Sequence, residues 1–172
     1  RRVLFRSTVV WLALFVLLIV GYGFKGDIEG VGRRTVAVLL PGVAVETGEQ
    51  GSVMVAKSRD GHFRVRARVN GAPVRLIVDT GASSVVLTDY DARAAGIDTN
   101  ALTYDVRVST ANGATTAAAV MLDDLTIGEI TEKRISALVA KPGQLEGSLL
   151  GNSFLDRLAS FTVQGDRLIL RQ

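Results

Sequence analysis

Between Phe63 and Val69 the chain alternates strictly between apolar residues and arginines, and no other feature limits its fold as much. A period of two places the apolar side chains on one face of a β-strand and the arginines on the other. Asn70-Gly71 follows, and this dipeptide is typical of a two-residue hairpin turn. The run from Val74 to Val78, apolar apart from Arg75, is predicted to return as a strand covered on both faces.

Short segments with strand character recur through the rest of the chain. They are residues 85–87, 104–110, 117–122, 125–127, 135–140, 161–163 and 168–170. One or two helical turns are predicted at residues 90–95, and a short helix after Gly151 with Asn152 or Ser153 near its cap. Strands separated by turns every ~8–12 residues predict an all-β sandwich or barrel.

Residues 7–24 are uncharged and mostly apolar. A helix needs ~17–25 such residues to cross a bilayer, so this segment is long enough. A cleaved signal peptide is the alternative, because Gly21 and Gly23 can flank a cleavage site, but its apolar core is usually only ~7–15 residues. An uncleaved transmembrane helix is therefore the favoured prediction.

The charges around this segment predict its orientation. Arg1, Arg2 and Arg6 precede it, so the positive-inside rule places residues 1–6 in the cytoplasm and everything after the span across the inner (cell) membrane. Residues 25–60 are interrupted by glycines and show no sustained period, which predicts a tether. The folded domain is then expected at residues 61–172, on the periplasmic or extracytoplasmic side.

Two residue types limit the chemistry. The chain has no cysteine, which excludes disulfides and thiolate chemistry, and its one histidine, His62, cannot build a histidine-based metal site. His62 is interpreted as a turn or surface residue before a strand. Lysine and arginine total 20 against 17 acidic residues, but no basic stretch is interleaved with stacking aromatics. No nucleic acid, metal or cofactor is therefore expected.

Asp79 stands between two apolar segments, Leu76–Val78 and Val85–Leu87. A carboxylate there is costly unless hydrogen bonds or a partner offset its burial, or its protonation changes. Thr80 and Gly81 follow it, so the carboxylate is expected at a tight turn that leaves the core. From these residues alone, a structural turn aspartate and a catalytic aspartate both remain possible.

The segment LIVDTGASSVVL at 76–87, which contains Asp79, together with SLLGNSFLDRL at 148–158 resembles the retropepsin-like aspartic proteases. The segment Asp60-Gly61-His62-Phe63 is similar to one in bacterial single-pass, membrane-anchored members. The resemblance implies an all-β, single-lobe closed barrel with one short helix. It also implies that Asp79 is catalytic and that Thr80, Gly81 and Ala82 form the active-site turn and support a dimer.

Two further segments take their roles from the same resemblance. Leu149, Leu150 and Gly151 would pack behind the active site, and the hairpin tip Ala111, Asn112 and Gly113 would be a flap over the substrate. Retroviral members have an ion pair where this chain has Ser83 and Asn152. Both charged partners are replaced together, so no buried charge is left alone, and a Ser83–Asn152 hydrogen bond is expected instead.

The resemblance implies a membrane-anchored aspartic endopeptidase that acts on proteins or peptides without a cofactor. Only one Asp-Thr-Gly occurs, so the second aspartate must come from another copy in a homodimer. Val78, Ala82, Val85, Leu149 and Leu150 are expected to line the substrate pocket. A non-catalytic peptide-binding or dimerisation module of the same fold is the alternative. A plain β-domain with a fortuitous turn is a third, against which the segment Leu149–Gly151 argues.

Overall fold

The computed structural model describes residues 50–110 and 113–172, with the backbone of residues 45 and 46. The predicted transmembrane helix at residues 7–24 lies outside the described residues, as do Ala111 and Asn112 at the predicted flap tip. Within the described part of the chain, no helix is both long and apolar enough to cross a membrane.

Eleven strands and two short helices are formed by the described residues. They are, in chain order, β1 (Val45–Glu46), β2 (Ser52–Ala56), β3 (Arg64–Val69), β4 (Ala72–Val78), β5 (Val85–Leu87), α1 (Asp89–Ala94), β6 (Val106–Thr110), β7 (Gly113–Ile127), β8 (Ile130–Ala140), β9 (Ser148–Leu150), α2 (Asn152–Leu155), β10 (Ser160–Gln164) and β11 (Arg167–Arg171).

Strands β3 and β4 form the hairpin that the alternating pattern predicts. Val65, Ala67 and Val69 are buried, while the arginines between them are exposed. Val69 faces Ala72, so the loop is Asn70-Gly71, and both loop residues have positive φ (49° and 79°). This is the backbone that a type I′ turn requires. Strand β4 was predicted to be covered on both faces, but Pro73 and Arg75 on one of its faces are exposed.

Six strands close into a barrel in the order β3, β4, β9, β5, β8 and β7, because β7 also pairs with β3 at Arg68–Thr126 and Val69–Leu125. Closure removes the exposed strand edges at which other chains could pair. Strand β6 adds to the outer edge of β7. The barrel encloses a core of fully buried side chains that includes Leu76, Leu122 and Phe154.

Strand β7 is longer than predicted. The sequence pattern indicated separate strands at residues 117–122 and 125–127, because Asp123 and Asp124 interrupt the apolar run. In the structure Leu122 faces Ile135 and Asp124 faces Lys133, so the pairing with β8 continues in one register across the interruption. The side chain of Asn70 accepts from the backbone N–H of Asp123 (2.9 Å), which holds the strand there.

A second sheet corrects the predicted boundary between tether and domain. Its strand order is β1, β2, β11, β10, so β1 and β2 lie inside the segment 25–60 that was expected to be a tether. Val53 and Val55 in β2 are fully buried and face Leu170 and Leu168 of β11. The folded domain therefore begins before Gly61. The run Val53–Ala56 carried this signal, but the glycines before it led to its assignment as irregular chain.

Two short helices are present among the described residues, at the two places where the residue pattern predicts helical turns, whereas the resemblance implied one. Thr88 caps α1 by accepting from the backbone N–H of Asp91 (3.1 Å), and Gly96 follows with a φ of 78°. Gly151 is the N-cap of α2 and gives no side-chain cap. Asn152 and Ser153, which were predicted near the cap, are the first two residues of the helix.

Candidate active site

Asp79 begins a tight turn at the end of β4. Its backbone N–H donates to the carbonyl oxygen of Leu150 (3.1 Å), and its own carbonyl oxygen accepts from the N–H of Ala82 (3.2 Å). The N–H of Gly81 donates to the carboxylate, with 2.9 Å between Gly81 N and Asp79 Oδ1. The carboxylate is half-buried and held in one direction by the backbone of its own turn.

Leu149, Leu150 and Gly151 lie directly behind this turn. Strand β9 runs parallel to β4, with Val78 opposite Leu150, and meets β5 where Leu149 faces Val86. Gly151 is buried, and a Cβ there would lie 2.6 Å from the carbonyl oxygen of Ala82. Only a glycine allows the two backbones to approach this closely. The structure thus brings together two motifs that are about 70 residues apart.

Asn152 supports the same turn, but not through Ser83 as expected. Its side-chain Nδ2 donates to the carbonyl oxygen of Thr80 (3.2 Å), and its backbone N–H donates to that of Ala82 (2.9 Å). Ser83 accepts at its backbone carbonyl from the N–H of Ser153 (3.0 Å). The side-chain amide of Asn152 therefore holds the Asp79 turn by donating to a backbone oxygen. A side-chain hydrogen bond between Ser83 and Asn152 had been expected in place of the ion pair of retroviral members.

The carboxylate of Asp79 faces a groove of about 570 Å³. The groove is lined by the Asp79 turn, with Gly81, Ala82 and Ser83, and by the β6–β7 hairpin. The hairpin contributes Arg107, Val108, Ser109, Thr110, Thr115, Thr116 and Ala117. Among the described residues that line this groove, Asp79 is the only one with a carboxylate.

A family model described as "Aspartyl protease" matches residues 65–154, which contain both motifs of this site. A solved structure, a retropepsin-like aspartic protease from Rickettsia conorii, is 41% identical with a TM-score of 0.64, covering 70% of this chain and 89% of its own. The chain belongs to the retropepsin-like aspartic protease family.

Two uncharacterised bacterial proteins are similar over almost the whole chain. A Sinorhizobium sp. protein is 40% identical over 169 residues, which cover 96% of this chain and 72% of that protein. A protein from Rickettsia prowazekii (strain Madrid E) is 39% identical over 171 residues, which cover 99% of this chain and 72% of that protein.

The flap-type hairpin has its tip between Thr110 and Gly113. These residues face each other, so the two-residue loop is 111–112, which lies outside the described residues. Gly113 has a φ of 112°, a conformation that residues with a side chain rarely adopt. The Asp79 turn and the strands of this hairpin line one groove, and Gly113 begins the second of those strands.

The residues that line the groove differ in part from those predicted. Ala82 and Leu149 line it, whereas Val85 and Leu150 are fully buried in the barrel core and Val78 is not among the lining residues. Val86 lines the groove in place of Val85. Successive side chains in a strand point to opposite faces, so a shift of one residue exchanges core for groove.

Gln144 and Leu145 line the groove and were not predicted to do so. They belong to the loop 141–147 between β8 and β9, where Pro142-Gly143 indicated only a turn. The hydroxyl of Thr115 donates to Oε1 of Gln144 (2.5 Å), so this loop contacts the β6–β7 hairpin across the groove. No local sequence signal could place residues 29 positions apart in contact.

A buried serine connects this wall to α1. Ser148 is fully buried, accepts from the N–H of Thr88 (2.9 Å) and donates to Oδ2 of Asp91 (2.5 Å). The bonds fix the start of β9 against α1, and so position the strand that carries Leu149 and Leu150. Within the described residues, no three histidine, cysteine or acidic side chains are grouped as metal ligands.

Proposed function

We propose that this member of the retropepsin-like family is an aspartic endopeptidase that hydrolyses peptide bonds in proteins or peptides without a cofactor. The observation that carries the proposal is the carboxylate of Asp79, which faces a groove and is oriented by the N–H of Gly81 at 2.9 Å. A groove of about 570 Å³ is within the usual size of sites that take small ligands or a few residues of a peptide.

The second carboxylate is proposed to come from a second copy of the chain. Asp79 is the only carboxylate that lines the groove in the described part of the chain, whereas the reaction uses two. A two-fold axis beside the Asp79 turn would bring two copies of it together. Thr80 is exposed next to Asp79, so its hydroxyl is available for a hydrogen bond across that axis.

Two such carboxylates would divide the chemistry between them. Like charges at short range do not both ionise readily, so the pair shares one proton, as is known for aspartic proteases as a class. The ionised carboxylate takes a proton from a water molecule, whose oxygen attacks the peptide carbonyl. The protonated carboxylate donates to the carbonyl oxygen as the tetrahedral intermediate forms, and a proton passes to the amine as the C–N bond breaks.

The proposal includes a membrane location. Residues 7–24 would anchor the chain in the inner membrane, with residues 1–6 in the cytoplasm and the protease domain on the periplasmic side. Confinement in a membrane raises the effective concentration of two weakly associating copies. The observations that support this part are the length of the uncharged segment and the arginines before it.

The decisive experiment compares wild type with Asp79→Asn on a peptide library. Asn keeps the size of the side chain but cannot act as a base, so hydrolysis should fall at least about a thousandfold, the order expected when an essential catalytic group is lost. Asp123→Asn is the control, because Asp123 is exposed and lies outside the groove. Circular dichroism should show all three proteins folded.

The same experiment separates the protease from a non-catalytic module of the same fold. A binding module would show no pepstatin-sensitive cleavage by wild type, and Asp79→Asn would then change nothing. Cleavage that persists in Asp79→Asn, with contaminating proteases removed, would contradict the catalytic role of Asp79.

A further inference from the structure

A second and larger groove, of about 1190 Å³, lies on the outer face of the β3–β4 hairpin and was not foreseen. Its cationic lining residues are Arg64, Arg66, Arg75 and Lys141, and its acidic ones are Asp89, Asp91 and Glu146. We propose that this groove extends the substrate-binding site and takes an acidic segment of the polypeptide that is cleaved. The inference rests on the proposed protease function.

The first support is a pair of arginines that face each other. Arg66 and Arg75 are directly opposite in the β3–β4 register, and both are exposed. Like charges at such positions destabilise a sheet, because their Cβ atoms lie only about 5 Å apart. Neither guanidinium has a hydrogen bond or ion pair with any residue in the described ranges 50–110 and 113–172. A negatively charged ligand would relieve this repulsion.

The second support is that most of the other charges in this groove already have partners. Arg64 is bound to Asp60 (2.6 Å), and this guanidinium, followed by the N–H of His62, holds the pKa of Asp60 below its ordinary value. Asp89 is bound to Arg93 (3.0 Å), and Asp91 accepts from Ser148. The hydrogen bond from the neutral Ser148 leaves Asp91 charged, so Arg66, Arg75 and Lys141 are opposed by Asp91 and Glu146, and one positive charge is left in excess.

The third support is continuity with the groove at Asp79. Leu145 lines both grooves, so the loop 141–147 is the border between them. In the proposal, a peptide bound in the Asp79 groove continues across Leu145 into the arginine groove. Tyr90 lines the same groove with its side chain 80% exposed. Tyrosine is a frequent anchor where a protein surface binds a partner.

The test measures binding in the full chain carrying Asp79→Asn, so that hydrolysis cannot interfere. The probes are a fluorescent peptide with four glutamates on one side of an apolar centre and the same peptide with glutamines. Fluorescence anisotropy should show the glutamate peptide binding about tenfold more tightly, since each exposed charge pair contributes a modest factor. This preference should shrink as the salt concentration rises from about 50 to about 500 mM, because salt screens exposed charges.

Matched variants locate the binding. Arg66→Gln with Arg75→Gln should abolish the preference for the glutamate peptide and leave the glutamine peptide unchanged. Arg167→Gln is the control, because Arg167 is exposed on β11 and lines neither groove. Tyr90→Ala should weaken both peptides about equally. An unchanged preference in the double arginine variant would overturn the proposal.

Binding of the arginines to an anionic lipid surface is a different outcome. In that case the parent should bind phosphatidylglycerol vesicles more tightly than the double variant does, and neither protein should prefer the glutamate peptide. This result would also overturn the proposal. In wild type, cleavage of both peptides at equal kcat/KM would overturn the acidic-segment proposal but leave the protease intact. If wild type cleaves neither peptide but the binding preference for the glutamate peptide is retained, only the proposed protease function would be overturned.

Discussion

Among the glycines in the described part of the chain, Gly151 is the one at which an added Cβ would meet backbone atoms most closely. A Cβ there would lie 2.2 Å from the carbonyl oxygen of Ser84 and 2.6 Å from that of Ala82. Both are backbone atoms of the turn that carries Asp79, so neither can rotate away. Gly151→Ala should therefore lower the free energy of unfolding by about 3 kcal/mol, the upper part of the range for overpacking, as measured by urea denaturation.

Gly147→Ala is the matched control for this change. A Cβ at Gly147 would approach Cδ1 of Ile77 at 3.3 Å, and that atom is the end of a flexible side chain. The control should lose less than about 1 kcal/mol, because the neighbour can move. Equal denaturation midpoints for Gly151→Ala and its parent would show that the backbone contact behind Asp79 has been misjudged.

At the scale of single residues, the sequence was informative where a local pattern carries the chemistry. Asp79 stood out because a carboxylate between two apolar strands is costly without a partner, whereas the role of Gly151 came from the resemblance to the retropepsin-like proteases. Gln144 and Leu145 gave no such signal. Their position in the groove depends on the fold around them, which brings a polar loop against Thr115 of another strand.

At the scale of elements, the β6–β7 hairpin is the predicted flap over the Asp79 groove. Its residues line the Asp79 groove, and Gly113 has a φ of 112°. Gly113→Val should cost about 1–3 kcal/mol through backbone strain. If closure of the hairpin over substrate accompanies catalysis, kcat/KM on a peptide substrate should also fall, by about tenfold.

Gly71→Val separates strain from function. Gly71 has a φ of 79° in the β3–β4 hairpin and does not line the Asp79 groove. Its replacement should lose comparable stability but keep the parent's kcat/KM at a temperature where both variants are folded. Equal losses of kcat/KM in the two variants would mean that the β6–β7 hairpin has no special part in turnover.

Turn chemistry explains which elements were predictable. Asn70-Gly71 and Gly165-Asp166 each form the two-residue loop of a hairpin, as their residue types indicate. The errors arose where tertiary contacts override the local pattern. Asp123 and Asp124 stay in β7 because β8 pairs on both sides of them, and β2 is ordered because β11 covers Val53 and Val55.

At the scale of the whole molecule, closure of the barrel was not deducible from strand periodicity. A pattern of short strands predicts a sandwich or a barrel equally well, and only the resemblance to the retropepsin-like proteases favoured the barrel. The deciding contact is the pairing of β3 with β7 at Val69–Leu125. These two residues are 56 positions apart, and nothing in either segment specifies the other.

The proposed homodimer predicts how activity depends on concentration. If each chain supplies one aspartate and the copies associate weakly, the initial rate should rise with about the square of the chain concentration until dimers saturate. Dilution in detergent, where the membrane no longer confines the chains, should make this most evident. The measurement is the initial rate of peptide cleavage over a roughly hundredfold range of chain concentration.

A mixing experiment tests the shared site directly, because a chain with Asp79→Asn still has the surface that pairs. When equal amounts of wild type and Asp79→Asn exchange freely, about a quarter of the dimers contain two aspartates, so activity per wild-type chain should fall by about half. A variant that only fails to pair would leave the wild type unaffected. Full activity of wild type in the presence of a large excess of folded Asp79→Asn would show that one chain carries the complete site, and that the second carboxylate must be sought within the chain itself.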